Sequence, residues 1–157
     1  MRTAEQIRYL ILATQREGNR RLTVLLSEID VTPAQSEALR IIADHGPLAL
    51  RELGGMLVCD TGTSPSRIVD RLVTAGLVQR TTSEHDRRQV SLTLTPQGRE
   101  KAARVAEIEN QLYDLIDQAS ATTDTEALIA FLHAFTQQSP AGLALANRLA
   151  AEEDRAR

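Results

Sequence analysis

The residues best suited to chemistry in this sequence are arginines and small hydroxyls gathered in one stretch. Thr63, Ser64, Ser66, Arg67 and Arg71 lie close together, and Arg87 and Arg88 follow next to Asp86. Small hydroxyls allow close approach to phosphates and base edges, and a guanidinium can grip a guanine with two parallel hydrogen bonds. That set suits contact with a polyanion. It does not suit catalysis: no nucleophile stands beside a base, no glycine loop cradles phosphate and no Cys/His spacing holds a metal. Neither an enzyme nor a cofactor is expected, and the acidic tracts Glu107/Glu109 and Glu152-Glu153-Asp154 read as solvated helix faces. An ordinary capped surface helix followed by a charged turn would contain the same residues, so the elements that position them must decide.

Net charge is −3 over 157 residues, which argues against a nucleic-acid binder until the charges are placed. Residues 1–46 carry six basic and six acidic groups, 47–101 eight and six, and 102–157 four and nine, giving balances of 0, +2 and −5. Only the middle segment is positive, and it holds Arg67, Arg71, Arg80, Arg87 and Arg88. A 42% apolar content supplies the core of one domain. No apolar run reaches the roughly 18 residues of a membrane span, and Met1-Arg2-Thr3-Ala4-Glu5 lacks the layout of a secretion signal. A soluble, cytoplasmic protein is expected. The single cysteine, Cys59, cannot close an internal disulfide.

Apolar residues from Ile7 to Ile29 recur at helical spacing and predict a long amphipathic helix. Thr32-Pro33-Ala34-Gln35 then carries an N-cap, a proline at the first helical position and a capping-box glutamine. His45-Gly46-Pro47 closes that helix, and a short one is expected over Arg51 to Val58. After the turn Cys59-Asp60-Thr61-Gly62-Thr63, the pair Ser64-Pro65 opens a helix that runs to Ala75-Gly76. Ile68, Val69, Leu72 and Val73 form its apolar face and leave Ser66, Arg67, Asp70, Arg71 and Thr74 outward. Two helices about a glycine-containing turn match a helix-turn-helix.

Beyond Gly76 the period changes. Leu77 to Thr82 and Val90 to Leu94 read as two strands of a hairpin whose polar tip carries Asp86, Arg87 and Arg88. An arginine on such a protrusion can enter a narrow minor groove. Thr95-Pro96 starts a helix with a seam at Val105, Ile108, Leu112, Leu115 and Ala119, which wants a partner helix. Capping sets at Thr123 to Glu126 and Ser139-Pro140 open two more. The lone histidines His45, His85 and His133 read as helix-end, hairpin-tip and core residues rather than metal ligands.

These residues resemble the MarR family of bacterial winged-helix regulators. The resemblance rests on Ser66-Arg67-Ile68-Val69-Asp70-Arg71-Leu72, Ala75-Gly76-Leu77-Val78, Asp86-Arg87-Arg88 and Leu92-Thr93-Leu94-Thr95-Pro96-Gln97-Gly98. It implies a mainly α fold with a small β-hairpin wing, a winged helix-turn-helix module embedded in a helical dimerisation domain. The corresponding segments are an N-terminal dimerisation helix (1–31), the DNA-binding module (32–98) and a C-terminal dimerisation region (99–157). It also implies that Ser64, Ser66 and Arg67 lie on the recognition helix, that Arg88 is the wing arginine with Asp86 orienting it, and that Asp70 can pair with the wing arginine. The sequence departs from the family pattern in a turn, Cys59 to Thr63, that is one residue longer, and in Pro65, where a β-branched residue is usual.

The function so implied is a transcriptional regulator, a repressor, that binds an inverted-repeat operator in double-stranded DNA as a homodimer and is released by a small-molecule effector. Two alternatives stay open. Cys59, just before the recognition helix, would serve a redox-sensing regulator if a helix dipole lowered its pKa, although its position also matches an inward-facing apolar residue. A winged helix turned protein-interaction module is the other, disfavoured by arginines kept on both recognition helix and wing.

Overall fold

The computed structural model describes residues 1–59, 62–82 and 90–157. The chain runs α1 (Thr3–Ser27), α2 (Pro33–His45), β1 (Leu48–Ala49), α3 (Leu50–Met56), α4 (Pro65–Thr74), β2 (Val78–Thr82), β3 (Val90–Leu94), α5 (Pro96–Ser120), α6 (Thr125–Thr136) and α7 (Pro140–Ala156). Four of the helices start on a proline whose missing N–H costs nothing in the first turn. The Thr32 box is complete: Gln35 N–H donates to Thr32 Oγ1, and Thr32 N–H donates to the Gln35 side chain. Thr95 and Ser139 cap as their sequences predict, accepting from Gly98 and Gly142. At α6 the cap is Asp124, which accepts from Ala127 N–H, and not Thr123.

Among the described residues the sheet has three strands, where the sequence predicts two. Its order is β1-β3-β2, all antiparallel, with Leu48 opposite Leu92 and Arg80 also opposite Leu92 on the other side. A two-residue strand contains no alternation to read, and β1 exists only because β3 pairs with it.

One hydrophobic core joins Leu39, Ile41 and Ile42 of α2, Leu53 of α3, Ile68, Val69 and Leu72 of α4, and Leu92 and Leu94 of β3. Leu26 of α1 and Val105 and Ile108 of α5 belong to the same core, so it runs across the expected segment boundaries at 31/32 and 98/99. Lys101 fastens these flanks together by donating to the Ile29 carbonyl at 2.8 Å, where the backbone has just left α1. The outer parts of the long helices pack differently. Leu10 of α1, Leu115 and Ile116 of α5 and Phe135 of α6 stay exposed, and α6 buries no residue at all. His133, read from sequence as a core residue, is exposed with the rest of α6, because that helix is not covered on its apolar side within one chain. Among the described residues no helix is long and apolar enough to cross a membrane.

Candidate nucleic-acid interface

Helix α4, the expected recognition helix, is sharply two-sided. Ile68, Val69 and Leu72 are buried, while Ser66, Arg67, Asp70 and Arg71 project from the opposite face. Burying three apolar side chains, worth roughly 1.5–3 kcal/mol each, fixes the rotation of the helix and therefore aims its polar face outward. Pro65 contributes to the close approach of α3 and α4: a Cβ placed on Gly54 would lie 3.2 Å from its ring. The departure from the family pattern at this position thus has a packing role between the two helices of the motif.

The far end of α4 is locked to the wing. Gly76 takes φ of +71° and its N–H donates to the Val73 carbonyl, while Leu77 N–H donates to Leu72, the paired bonds of a Schellman cap. Thr95 then donates through Oγ1 to the Gly76 carbonyl at 2.7 Å, and its N–H donates to the Leu77 carbonyl. A Cβ on Gly98 would come within 1.9 Å of that same carbonyl. Only glycine fits there. The Ala75-Gly76-Leu77 and Thr95-Pro96-Gln97-Gly98 segments are therefore two halves of one joint, which orients the hairpin against the recognition helix. A further tie is ionic: Arg80 of β2 donates to Asp70 of α4 at 2.5 Å. Asp70, expected to meet a wing arginine, has Arg80 as its described partner. Asp86, Arg87 and Arg88 lie outside the described residues.

At the leading end, Ser64 occupies the N-cap position but makes no side-chain cap, since its hydroxyl lies 3.0 Å from that of Ser66. Thr63, half-buried, borders a cavity of about 600 Å³ between α1, the start of α2 and α4, together with Gln15, Asn19, Gln35 and Arg71.

Cys59 also borders that cavity, and the core reading of it needs correction. It is an exposed residue rather than a core one. Its thiol is not activated: desolvation, followed by the charge of Glu37 and a hydrogen bond to that carboxylate, pushes it up to about 11. Cys59 lies two residues past the C-cap of α3 and five before the N-cap of α4, so it is not placed at a helix N-terminus that would lower its pKa. Glu109, expected on a solvated face, is instead largely covered against Arg40, at 3.4 Å, and burial raises its pKa.

A buried apolar helix face, an exposed arginine and hydroxyl face, and a hairpin braced against it define a winged helix-turn-helix of the DNA-binding class. Comparison with known proteins agrees. The MarR family profile matches residues 31–90. Wild-type apo MarR from E. coli is 30% identical over 79% of this chain and 91% of its own, with a TM-score of 0.61. A cysteine-to-serine variant of that protein, solved with operator DNA, gives 29% identity over 81% and 90% of the two chains and a TM-score of 0.65. The organic hydroperoxide resistance transcriptional regulator of Bacillus subtilis is 29% identical over 76% of this chain and 80% of its own. The chain belongs to the MarR family of DNA-binding transcriptional regulators, which are not enzymes.

Proposed function

We propose that the chain is a ligand-responsive repressor that binds an inverted-repeat operator as a homodimer. The observation that carries this reading is the outward face of α4, where Ser66, Arg67 and Arg71 stand exposed over a fully buried backing. Arg67 and Arg71 are the groove and phosphate contacts, and Thr63, Ser64 and Ser66 allow the helix start to approach the backbone. Arg87 and Arg88, oriented by Asp86, serve in the wing on the strength of the family resemblance.

A homodimer is supported by the apolar surface that one chain leaves bare on α1, α5 and α6. Segments 1–31 and 99–157 provide that interface and 32–98 the reading module. Effector control is supported by the cavity that touches α1, α2 and α4 at once, since a ligand there would bear on the recognition helix through Thr63 and Arg71. The redox alternative loses its support in a thiol held at about 11, even though the B. subtilis relative is named for hydroperoxide resistance.

Footprinting on the DNA upstream of the chain's own gene tests the reading. A homodimer with two recognition helices protects two inverted half-sites about one helical turn, roughly 10 bp, apart. Protection of a single half-site, or of no defined sequence, would remove the inverted-repeat model.

A further inference from the structure

Glu37 of α2 stands out as a charged residue that is only 9% exposed. A buried carboxylate is costly unless its oxygens find donors, and here both do. Oε1 accepts the Val58 N–H at 2.8 Å and Oε2 accepts the Cys59 N–H at 2.9 Å. Those two amides follow directly on α3, whose C-cap is Leu57, and they begin the turn that leads to α4. The carboxylate therefore fixes the backbone of the helix-turn-helix turn from a helix that belongs to neither half of the motif.

Helix α7 takes hold of the same place with two adjacent residues. Arg148 brings Nη1 to 3.8 Å from Glu37 Oε1, and Asn147 donates through Nδ2 to the Gly55 carbonyl at 2.9 Å, in the last turn of α3. Gly55 lies 92 residues from Asn147 in sequence, so this contact is wholly tertiary. Charge and hydrogen bonding thus join three elements, α2, α3 and α7, at the point where the chain turns towards the recognition helix.

We propose that Glu37, with Arg148 and Asn147, is a latch through which the C-terminal helix sets the pose of the recognition helix. These are positioning residues: none faces DNA, and each acts through the Gly55 to Cys59 backbone. The proposal rests on α4 being the DNA-reading helix. Any movement of α7 against α2 loosens the turn, which makes the latch the path by which rearrangement of the C-terminal region reaches the operator.

The test uses the full chain with Glu37→Gln, Arg148→Met and the pair combined. The Glu37→Gln variant turns an NH2 group towards one of the two amides, while Arg148→Met keeps the carboxylate and removes its α7 partner. The DNA probes are a duplex selected by the wild-type chain from a random library and a scrambled duplex of equal length. Glu37→Gln is expected to lose about tenfold or more in affinity for the selected duplex and less than about threefold for the scrambled one, because pose matters for base readout and little for phosphate attraction. Hydrogen exchange over residues 57–59 should quicken, and Arg148→Met should show a smaller loss that does not add in full to that of Glu37→Gln. Equal loss on both duplexes, tracking the folded fraction, would mean a purely structural role and overturn the latch. So would Arg148→Met, checked for fold by circular dichroism, if it left both affinity and exchange unchanged. A wild-type chain that selects no duplex would instead defeat the DNA-reading role of α4, and with it the latch.

Discussion

The helix-turn-helix and the outer helices of this chain solve the same problem in opposite ways. In the first, α4 turns Ile68, Val69 and Leu72 into a core already supplied by α2, α3 and β3, and no other chain is needed. In the second, α6 carries Leu128, Ile129, Phe131 and Leu132 and buries none of them, and Leu10 of α1 and Ile116 of α5 are similarly bare. Exposing so much apolar surface is unfavourable for a free helix, and contiguous patches of this kind mark an interface. The reading module thus packs within the chain, whereas the outer helices leave their apolar faces bare in one chain and, in the proposed homodimer, cover them between chains. The outward face of α4 and these bare faces are separate surfaces, and the regions that carry them meet at the inner ends of α1 and α5 and where α7 holds α2 and α3.

The comparison breaks most severely if assembly is not intermolecular. Leu132→Asp puts a charge in the bare surface of α6, which one chain tolerates because the residue is already 38% exposed. The mass in solution should fall from two chains to one, and operator affinity should drop by roughly 10²–10⁴, the gain that linking two half-site contacts confers. Sedimentation and gel-shift titration read both. An unchanged mass would return α6 to a role within the chain. Leu72→Ala attacks the other region: Leu72 is fully buried, so the variant should lose about 2–5 kcal/mol of folding stability in urea titration. The destabilisation of the reading module should appear with the dimer mass intact under native conditions.

Much of this division is legible in the sequence, and where it is, the signal is local. Thr32-Pro33, Ser64-Pro65, Thr95-Pro96 and Ser139-Pro140 place four helix starts to the residue, because cap and proline act on the backbone immediately beside them. The two faces of α4 follow from 3.6-residue spacing. What is hidden depends on partners distant in sequence. Strand β1 needs β3 to exist. Glu37 looks like any helical acid, since its partners are backbone amides 21 and 22 residues further on, which no residue type announces. Cys59 departs from expectation for the same reason: the packing that desolvates its thiol and the carboxylate from α2 beside it are both tertiary, and neither is visible in the residues around it.

Desolvation, with that carboxylate adding to it, makes Cys59 a probe of the boundary between the two regions. With its thiol pushed from an ordinary 9.0 to about 11, the thiolate at pH 8 is roughly a hundredfold scarcer than in the unfolded chain. Alkylation by iodoacetamide should slow by about that factor and recover on unfolding. Because the folded state holds the proton more tightly, whatever stability this lends is present below pH 9 and is lost as pH rises towards 11. Fast alkylation of the native chain at pH 8 would mean that the thiol is neither desolvated nor held against Glu37. On the recognition face itself, Arg67→Ala should cost about 1–3 kcal/mol in operator binding if it reads a base, and the loss should be larger on the operator than on unrelated DNA.

The smallest effect separates positioning from stability within the module. Asp70 and Arg80 join α4 to β2 at 2.5 Å, yet their side chains are 60% and 41% exposed, and such pairs contribute about 0–1 kcal/mol to folding. Asp70→Asn should therefore leave the urea midpoint almost unchanged. It frees Arg80 and removes a negative charge from the DNA-facing side of α4, so attraction to phosphate should rise while the hairpin loses one tether to the helix. Binding to unrelated DNA is expected to strengthen slightly, by less than about threefold, and the preference for the operator to narrow. If the preference instead stays constant while both affinities rise together, Asp70 acts only as a surface charge, and the wing is oriented by the Gly76–Thr95–Gly98 joint alone.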